Sequence, residues 1–273
     1  MTRTTVDLTP TGPEIGSRGS WARFLAGFAA LYATLAGLGS IEPGGRWGVP
    51  ILAAVVLAGI VVEKLLNGSG PRGLLGTLGR PAVRPLVLAA AVSALVLLAF
   101  PLTGLLSGAA VTLRPDWIRL LFGIFAFHGL AEELVWRGYA FRRLRVGRSY
   151  RSAVLWTMPL VAATHVPIIA TAGVGIGLGA MLVAALTSLS FSYLYETGNG
   201  TVWAPALVHT AIDAFKLVVV PAAAASTLPL VFVGVGLVVP LLALLVPRRW
   251  LDPHPASPDQ IIHMAHPARS WAP

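Results

Sequence analysis

Long apolar runs, separated by short polar or glycine-rich segments, dominate the chain. None of the eight runs shows the apolar–polar alternation of a half-buried strand. About 20 apolar residues let a helix cross the hydrocarbon core of a bilayer, and most runs approach or reach that length. They cover residues 21–40, 48–63, 85–106, 117–141, 152–172, 174–195, 201–221 and 228–246. The pattern predicts an all-α, polytopic membrane protein, a bundle of eight transmembrane helices without a β-sheet.

Composition supports a membrane protein. Of 273 residues, 56% are hydrophobic and only 11% are charged, and the mean hydropathy is +0.77. A soluble domain carries about 25% charged residues. The chain has no cysteine, which excludes disulfides, thiol catalysis and thiolate metal sites. We attribute the net charge of +9 to cytoplasmic loops and expect lipid, not nucleic acid, as the surrounding partner.

The basic residues predict the topology. With the N-terminus inside, 15 of them lie in inner segments and three in outer segments, which favours both termini in the cytoplasm. All but two basic residues are arginine, and together with the abundant alanine and glycine this suggests a bacterial inner membrane. We expect a cytoplasmic tail (1–20), a single membrane domain (21–246) whose core is 117–221, and a disordered cytoplasmic tail (247–273). The tail histidines are assigned no metal role: His254, His263 and His266.

Charged residues interrupt the fourth run, which contains His-Gly-Leu-Ala-Glu-Glu-Leu-Val-Trp-Arg-Gly at 128–138. A charge at membrane depth costs at least a few kcal/mol and is usually functional. Glu133 and Arg137 are spaced i,i+4, so they share a helix face and can pair. Glu132 shares a different face with His128 and has no obvious cation nearby, which suits a proton acceptor. For His128 we favour packing over a hydrogen bond that tunes Glu132.

Other polar groups lie in later runs. His165 is in the fifth, and His209 and Asp213 are in the seventh at i,i+4 spacing. At a rise of about 1.5 Å per residue, these groups and Glu132 lie roughly 14–20 Å from the cytoplasmic end of their spans. Because polar groups in lipid are costly, we expect their side chains to converge on one cavity, open toward the cytoplasm.

In chain order, the polar groups are Glu132, Glu133, Arg137, His165, His209 and Asp213. This order, and above all Glu-Glu-Leu-Val-Trp-Arg-Gly, resembles the CPBP family of CAAX-processing and bacteriocin-processing intramembrane proteases. The resemblance covers residues 117–221. It departs from the family pattern at Val161, where phenylalanine is usual, and at Asp213, where asparagine is more frequent.

The resemblance implies an intramembrane endopeptidase that cleaves a membrane-associated or lipidated peptide or a membrane protein. By position, Glu132 would be the general base and His165 would hold or polarise the water. His209 and Asp213 would face the oxyanion, and Glu133 with its partner arginine would orient the site. An ionised Asp213 repels an oxyanion, so a proton or a cation is expected beside it.

Two questions stay open at this point. The first is the cofactor: Glu132, His165, His209 and Asp213 could also ligate zinc, although we favour a metal-free glutamate mechanism. The second is the class of protein. A proton-coupled transporter also places histidine and carboxylates inside the membrane, but no internal repeat supports it. A catalytically silent scaffold or immunity-type protein of the same fold would have the same residues.

Overall fold

A computed structural model describes residues 14–251, except residues 43 and 69. The described helices are α1 (Arg18–Ile41), α2 (Gly48–Asn67), α3 (Arg72–Leu75), α4 (Val83–Leu97), α5 (Ala99–Ser107), α6 (Trp117–Ile124), α7 (Arg142–Arg145), α8 (Tyr150–Ala163), α9 (Pro167–Ala172), α10 (Val174–Thr197), α11 (Trp203–Ile212), α12 (Thr227–Val238) and α13 (Arg248–Leu251). Two π-helical segments, Phe125–Ala131 and Leu134–Phe141, lie between α6 and α7. The 3₁₀ segments are Gly76–Leu78, Asp213–Leu217, Ala222–Ala224 and Val239–Leu245.

Six helical stretches of the described chain are long and apolar enough to cross a membrane. They are Arg18–Ile41, Gly48–Asn67, Val83–Ser107, Tyr150–Ala172, Val174–Thr197 and Thr227–Leu245. Large apolar side chains on their outer surfaces are exposed, including Leu57, Val87, Leu105 and Leu230. An outer surface of this kind requires lipid around it, and the protein is an integral membrane protein.

Two of the eight predicted runs are not among these six, and they carry all of the predicted site residues except His165. Residues 117–145 form an almost continuous helix, but its centre consists of the two π-helical segments around Glu132 and Glu133. In the other run α11 has only ten residues, or about 15 Å of helix, before the chain tightens into a 3₁₀ segment. The polar residues lie within the bundle, where the long apolar helices surround them.

Prolines explain two breaks in the apolar helices. The ring of Pro101 clashes with the carbonyl four residues earlier, and the helix is interrupted at Leu98, between α4 and α5. Residues 164–166 separate α8 from α9, which begins at Pro167. His165 therefore lies in a turn within the predicted fifth span, and this span is among the six confirmed stretches.

The prediction that the fold contains no β-sheet is wrong in one detail. Strand β1 (Thr112–Leu113) pairs antiparallel with β2 (Val218–Val219), in the register Thr112↔Val219 and Leu113↔Val218. The pairing is short because both strands are ends of loops next to helices. It connects the start of α6 to the chain that follows Asp213, so the two polar segments are held together at this end of the bundle.

Each end of the molecule has its own set of ion pairs. At one, which we call the basic end, Arg142 and Arg143 bind the carboxylate of Glu63, and Arg145 and Arg248 bind Glu196. At the other, the ribbon end, Asp116 pairs with Arg46 and Arg114 close to the β1–β2 ribbon. The segments that the charge count assigned to one side of the membrane thus meet at one end of the fold.

The N-terminal tail was predicted to end at residue 20, but its last described residues are part of the fold. Ile15 is buried, and its carbonyl accepts a hydrogen bond from Arg148 of the basic end. Ser17 caps α1 through a reciprocal pair of hydrogen bonds with Ser20. Residues 1–13 and the predicted C-terminal tail from residue 252, with its three histidines, lie outside the described residues.

Candidate active site

A cavity of about 730 Å³ lies among α1, α8–α12 and the π-helical segment that carries His128. Its wall is mostly apolar, with side chains such as Phe127, Ile168, Ile176 and Phe232. Several ionisable side chains line the same wall. They include all four residues for which a catalytic role was predicted, and two more that were not: His128, Glu132, His165, His209, Asp213, Lys216.

Glu132 is held by the histidine one turn before it. His128 Nδ1 lies 2.7 Å from Glu132 Oε1, and both side chains are largely buried. The preference for His128 as a packing residue is therefore wrong. The i,i+4 spacing that placed the two side chains on one face also brings them within hydrogen-bond distance, because neither has another polar partner nearer along the helix.

Lys216 extends this contact to Asp213. Its Nζ atom lies 2.6 Å from His128 Nε2 and 2.9 Å from Asp213 Oδ1. No role was predicted for Lys216. Its i,i+3 spacing from Asp213 was the available signal, and the 3₁₀ segment, with three residues per turn, aligns the two side chains.

His209 closes the arrangement into a ring. Its Nε2 atom is 3.5 Å from both Glu132 Oε2 and Asp213 Oδ2. We call the five side chains the polar ring: Glu132, His128, Lys216, Asp213 and His209. Two carboxylates in it alternate with histidine and lysine, so no two carboxylates face each other without a nitrogen between them. This is how the expected repulsion between Glu132 and Asp213 is relieved.

Glu133 points away from the cavity and supports the ring from behind. Its Oε1 atom accepts hydrogen bonds from Arg137 Nη1 at 2.9 Å and His209 Nδ1 at 2.8 Å. The predicted contact between Glu133 and Arg137 is present, and both side chains are at most 1% exposed. Arg137 also lies over the ring of Phe191 and contacts Ser188, so α10 is joined to the same cluster. The sequence did not indicate that Glu133 orients His209.

His165 lies on the cavity wall but is not part of the polar ring. Its Nδ1 atom is 2.9 Å from the carbonyl oxygen of Val161, one turn earlier in α8. A carbonyl only accepts, so this contact puts the proton on Nδ1 and leaves Nε2 as the acceptor of the neutral ring. An acceptor nitrogen on the wall of a cavity can receive a hydrogen bond from water.

The predicted zinc ligands, Glu132, His165, His209 and Asp213, make other contacts in this structure. The described residues contain no group of three or more histidine and carboxylate side chains placed to hold a metal ion. Glu132 Oε1 contacts His128, Asp213 Oδ1 contacts Lys216, and His165 contacts Val161 and Thr164.

The cavity lies toward the ribbon end, so the predicted opening toward the cytoplasm and the predicted cytoplasmic position of the basic end cannot both hold. Its lining includes the last turns of α1 (Ala36, Gly39), most of α9, and the earlier turns of α10 and α12. Helices α10 and α12 start away from the basic end and run toward it, because Glu196 and Arg248 pair there. The depth estimated from the helix rise placed the polar groups in one layer of the membrane. It could not show on which side of that layer the cavity lies.

Comparison with known proteins finds a similarity in this region. Residues 114–215 match the family model of the type II CAAX prenyl endopeptidases, Rce1-like. The match includes every residue that carried the CPBP resemblance, and it confirms that resemblance. It ends one residue before Lys216. No curated protein and no solved structure was found to match the chain.

Proposed function

We propose that the protein is an intramembrane endopeptidase that hydrolyses a peptide bond of a membrane-associated or lipidated peptide. The observation that carries this proposal is the polar ring on the wall of an otherwise apolar cavity, within a stretch that matches a protease family. The family membership implies a hydrolase, and the ring contains the groups that amide hydrolysis needs: a base, hydrogen-bond donors and a compensating cation.

Glu132 is the proposed general base. Its Oε2 atom has no contact shorter than the 3.5 Å to His209, so it can accept a proton from a water molecule in the cavity. The water oxygen attacks the carbonyl carbon of the substrate, and the carbonyl oxygen becomes the oxyanion. Glu132 then delivers the proton to the leaving nitrogen as the carbon–nitrogen bond breaks, which yields a carboxylic acid and an amine; the acid then passes its own proton to the amine, so that a carboxylate and an ammonium ion leave.

Donors on the ring would stabilise the oxyanion. His209 Nδ1 donates to Glu133, and a doubly protonated ring would also donate from Nε2 into the site. Asp213 would repel an oxyanion if it stood alone, but Lys216 Nζ is 2.9 Å from it and offsets its charge. His165, on the adjacent wall, is proposed to orient the attacking water.

The substrate is proposed to be an apolar or lipidated peptide, because the cavity offers apolar side chains from several helices beside the ring. We further propose that the two polar segments, residues 117–145 and 203–217, also cross the bilayer. This gives eight spans, with the basic end in the cytoplasm of a bacterium and both termini inside. In that orientation the cavity lies in the outer half of the membrane.

Purified protein in detergent, incubated with a library of short membrane-anchored peptides, tests the activity. We expect cleavage by the wild type and loss of roughly 10²–10⁴-fold in Glu132→Gln, because general-base catalysis typically contributes that much. Glu42→Gln is the matched control, since Glu42 binds only the backbone of the loop after α1. Cleavage that survives in Glu132→Gln would refute the role of Glu132. A wild type without any cleavage would favour a silent scaffold of the same fold.

The same preparation tests the cofactor. Metal analysis, with activity measured before and after chelation, should show activity that chelation does not remove. A stoichiometric metal lost together with activity would overturn the glutamate mechanism and would require the ring to rearrange around the ion.

A further inference from the structure

Lys216 lies outside the stretch that matches the protease family, but it has two contacts within the polar ring. Its side chain is 20% exposed, on a segment of the chain where the other side chains are mostly apolar. A lysine in such a place usually has a functional reason, because an ammonium group at membrane depth is costly. Pairing with Asp213 does not account for its second contact, with His128.

The two hydrogen bonds that join Lys216, His128 and Glu132 can be assigned donors and acceptors in one consistent way. A charged lysine has three donors and no acceptor, so His128 Nε2 must accept from it. The proton of the neutral His128 ring is then on Nδ1, and Nδ1 donates to Glu132 Oε1. Lys216 therefore selects the His128 tautomer that can hold Glu132.

Without Lys216, the ammonium group would no longer exclude a proton from Nε2, and Glu132 alone would favour the tautomer of His128 with its proton on Nδ1; we infer that the Nε2-protonated form then becomes populated. Nδ1 would then face Glu132 Oε1 with a lone pair across 2.7 Å, and the two acceptors would repel. Glu132 would turn away from the position in which Oε1 is held and Oε2 faces the cavity. The effect would reach the reacting water only through His128 and Glu132.

Lys216 also balances charge. With His209 doubly protonated, three cations, Lys216, His209 and Arg137, match three carboxylates, Glu132, Glu133 and Asp213. Removal of one member of such a buried set leaves its partner uncompensated. Removal of Lys216 together with the charge of Asp213 restores the balance, but it does not restore the donor to His128. The two roles of Lys216 can therefore be separated experimentally.

We propose that Lys216 is a positioning residue of the protease site, which fixes the tautomer of His128 and through it the orientation of Glu132. This inference rests on the proposed function for its catalytic consequence, but the tautomer itself does not depend on turnover.

The decisive measurement is the ¹⁵N spectrum of histidine-labelled protein in detergent, with the His128 signal assigned by its loss in His128→Asn. Wild-type protein should show His128 protonated on Nδ1. Lys216→Met should shift the signal toward the Nε2-protonated form and lower kcat roughly 10- to 100-fold, part of the ~10²–10⁴-fold that a general base supplies. Lys64→Met is the matched control, because Lys64 is an exposed lysine of α2 far along the chain from the ring.

The double variant Asp213→Asn/Lys216→Met separates positioning from charge balance. We expect it to recover the thermal stability that Lys216→Met loses, while the His128 signal stays shifted and kcat stays low. Recovery of activity together with stability would reduce Lys216 to a counter-ion of Asp213 and overturn the proposal. An unchanged His128 signal in Lys216→Met would also overturn it, even if no peptide substrate is ever cleaved.

Discussion

Glu133 and Arg137 form a buried ion pair at the back of the polar ring, and the same carboxylate orients His209. Glu133→Gln keeps the shape of the side chain but leaves the Arg137 charge uncompensated. We expect it to lower the free energy of unfolding by on the order of 3 kcal/mol, the usual cost of breaking a buried pair, and to reduce cleavage as well. Thermal unfolding in detergent measures the first effect.

Asp116→Asn is the control for that experiment, since Asp116 also pairs with arginine but at the accessible ribbon end. It should change the midpoint of unfolding little, because exposed ion pairs contribute little. Equal destabilisation by the two variants would contradict the idea that burial makes Glu133 important.

Spacing made several site residues predictable, and tertiary packing determined the others. The i,i+4 pairs Glu133–Arg137 and His209–Asp213 could be read directly from the sequence, because a helix places such residues on one face. Lys216 could not, because its partnership with His128 joins residues 88 positions apart and depends on where α11 turns into a 3₁₀ segment. The role of His128 was misjudged for the same reason: its partner Lys216 was not recognised.

At the scale of the elements, close backbone contact holds α2 against α6, the helix that leads into the motif. A Cβ atom at Gly48 would lie 1.8 Å from the carbonyl oxygen of Gly123, far inside any real contact. Gly48→Ala must therefore separate the two helices, and overpacking of this kind costs about 1–3 kcal/mol. We expect a lower unfolding midpoint and, because α6 continues into the segment of Glu132, weaker cleavage.

Gly234, in α12, is the matched control. A Cβ there would meet nothing within 4 Å, so Gly234→Ala should be neutral or should stabilise the helix by up to about 1 kcal/mol. If Gly48→Ala unfolds at the same temperature as Gly234→Ala, the close approach is not needed for the fold.

The apolar helices were predictable, and the shapes of the polar segments were not. Run length indicated the six long helices to within a few residues, because lipid permits few other structures for such stretches. The spacing of apolar residues predicts neither the π-helical turns around Glu132 nor the early end of α11. They occur where buried polar groups, not apolar surface, determine the local backbone, and widened turns of this kind are frequent at functional sites.

At the scale of the whole molecule, the charge count predicted which segments lie together, and the contacts at the basic end agree with it. Arg84, Arg148 and Arg248 all bind groups from other segments of that end. The count could not predict where the bundle opens. That depends on α8 ending at Ala163 and on α9 lining the cavity, and neither follows from the number of arginines.

The position of the cavity has a consequence for access. Thr171 of α9 lines the cavity and is exposed, whereas Arg151 of α8 is exposed at the basic end. If the basic end is cytoplasmic, a substrate reaches the ring from the outer side of the membrane. If the topology were inverted, the same cavity would open toward the cytoplasm. The side of the membrane on which Thr171 and Arg151 lie therefore decides from which side a substrate would reach the polar ring.

The chain has no cysteine, so single cysteines introduced at these positions give an unambiguous signal. We expect Thr171→Cys to react with a membrane-impermeant maleimide in intact cells, and Arg151→Cys to react only after the membrane is permeabilised. The cysteine-free parent is the control for background labelling, and retained cleavage of a membrane-anchored peptide shows that each variant is folded. The reverse labelling pattern would invert the topology. Labelling of Thr171→Cys should also fall when a substrate peptide is present, because that side chain lies on the cavity wall that the peptide would occupy.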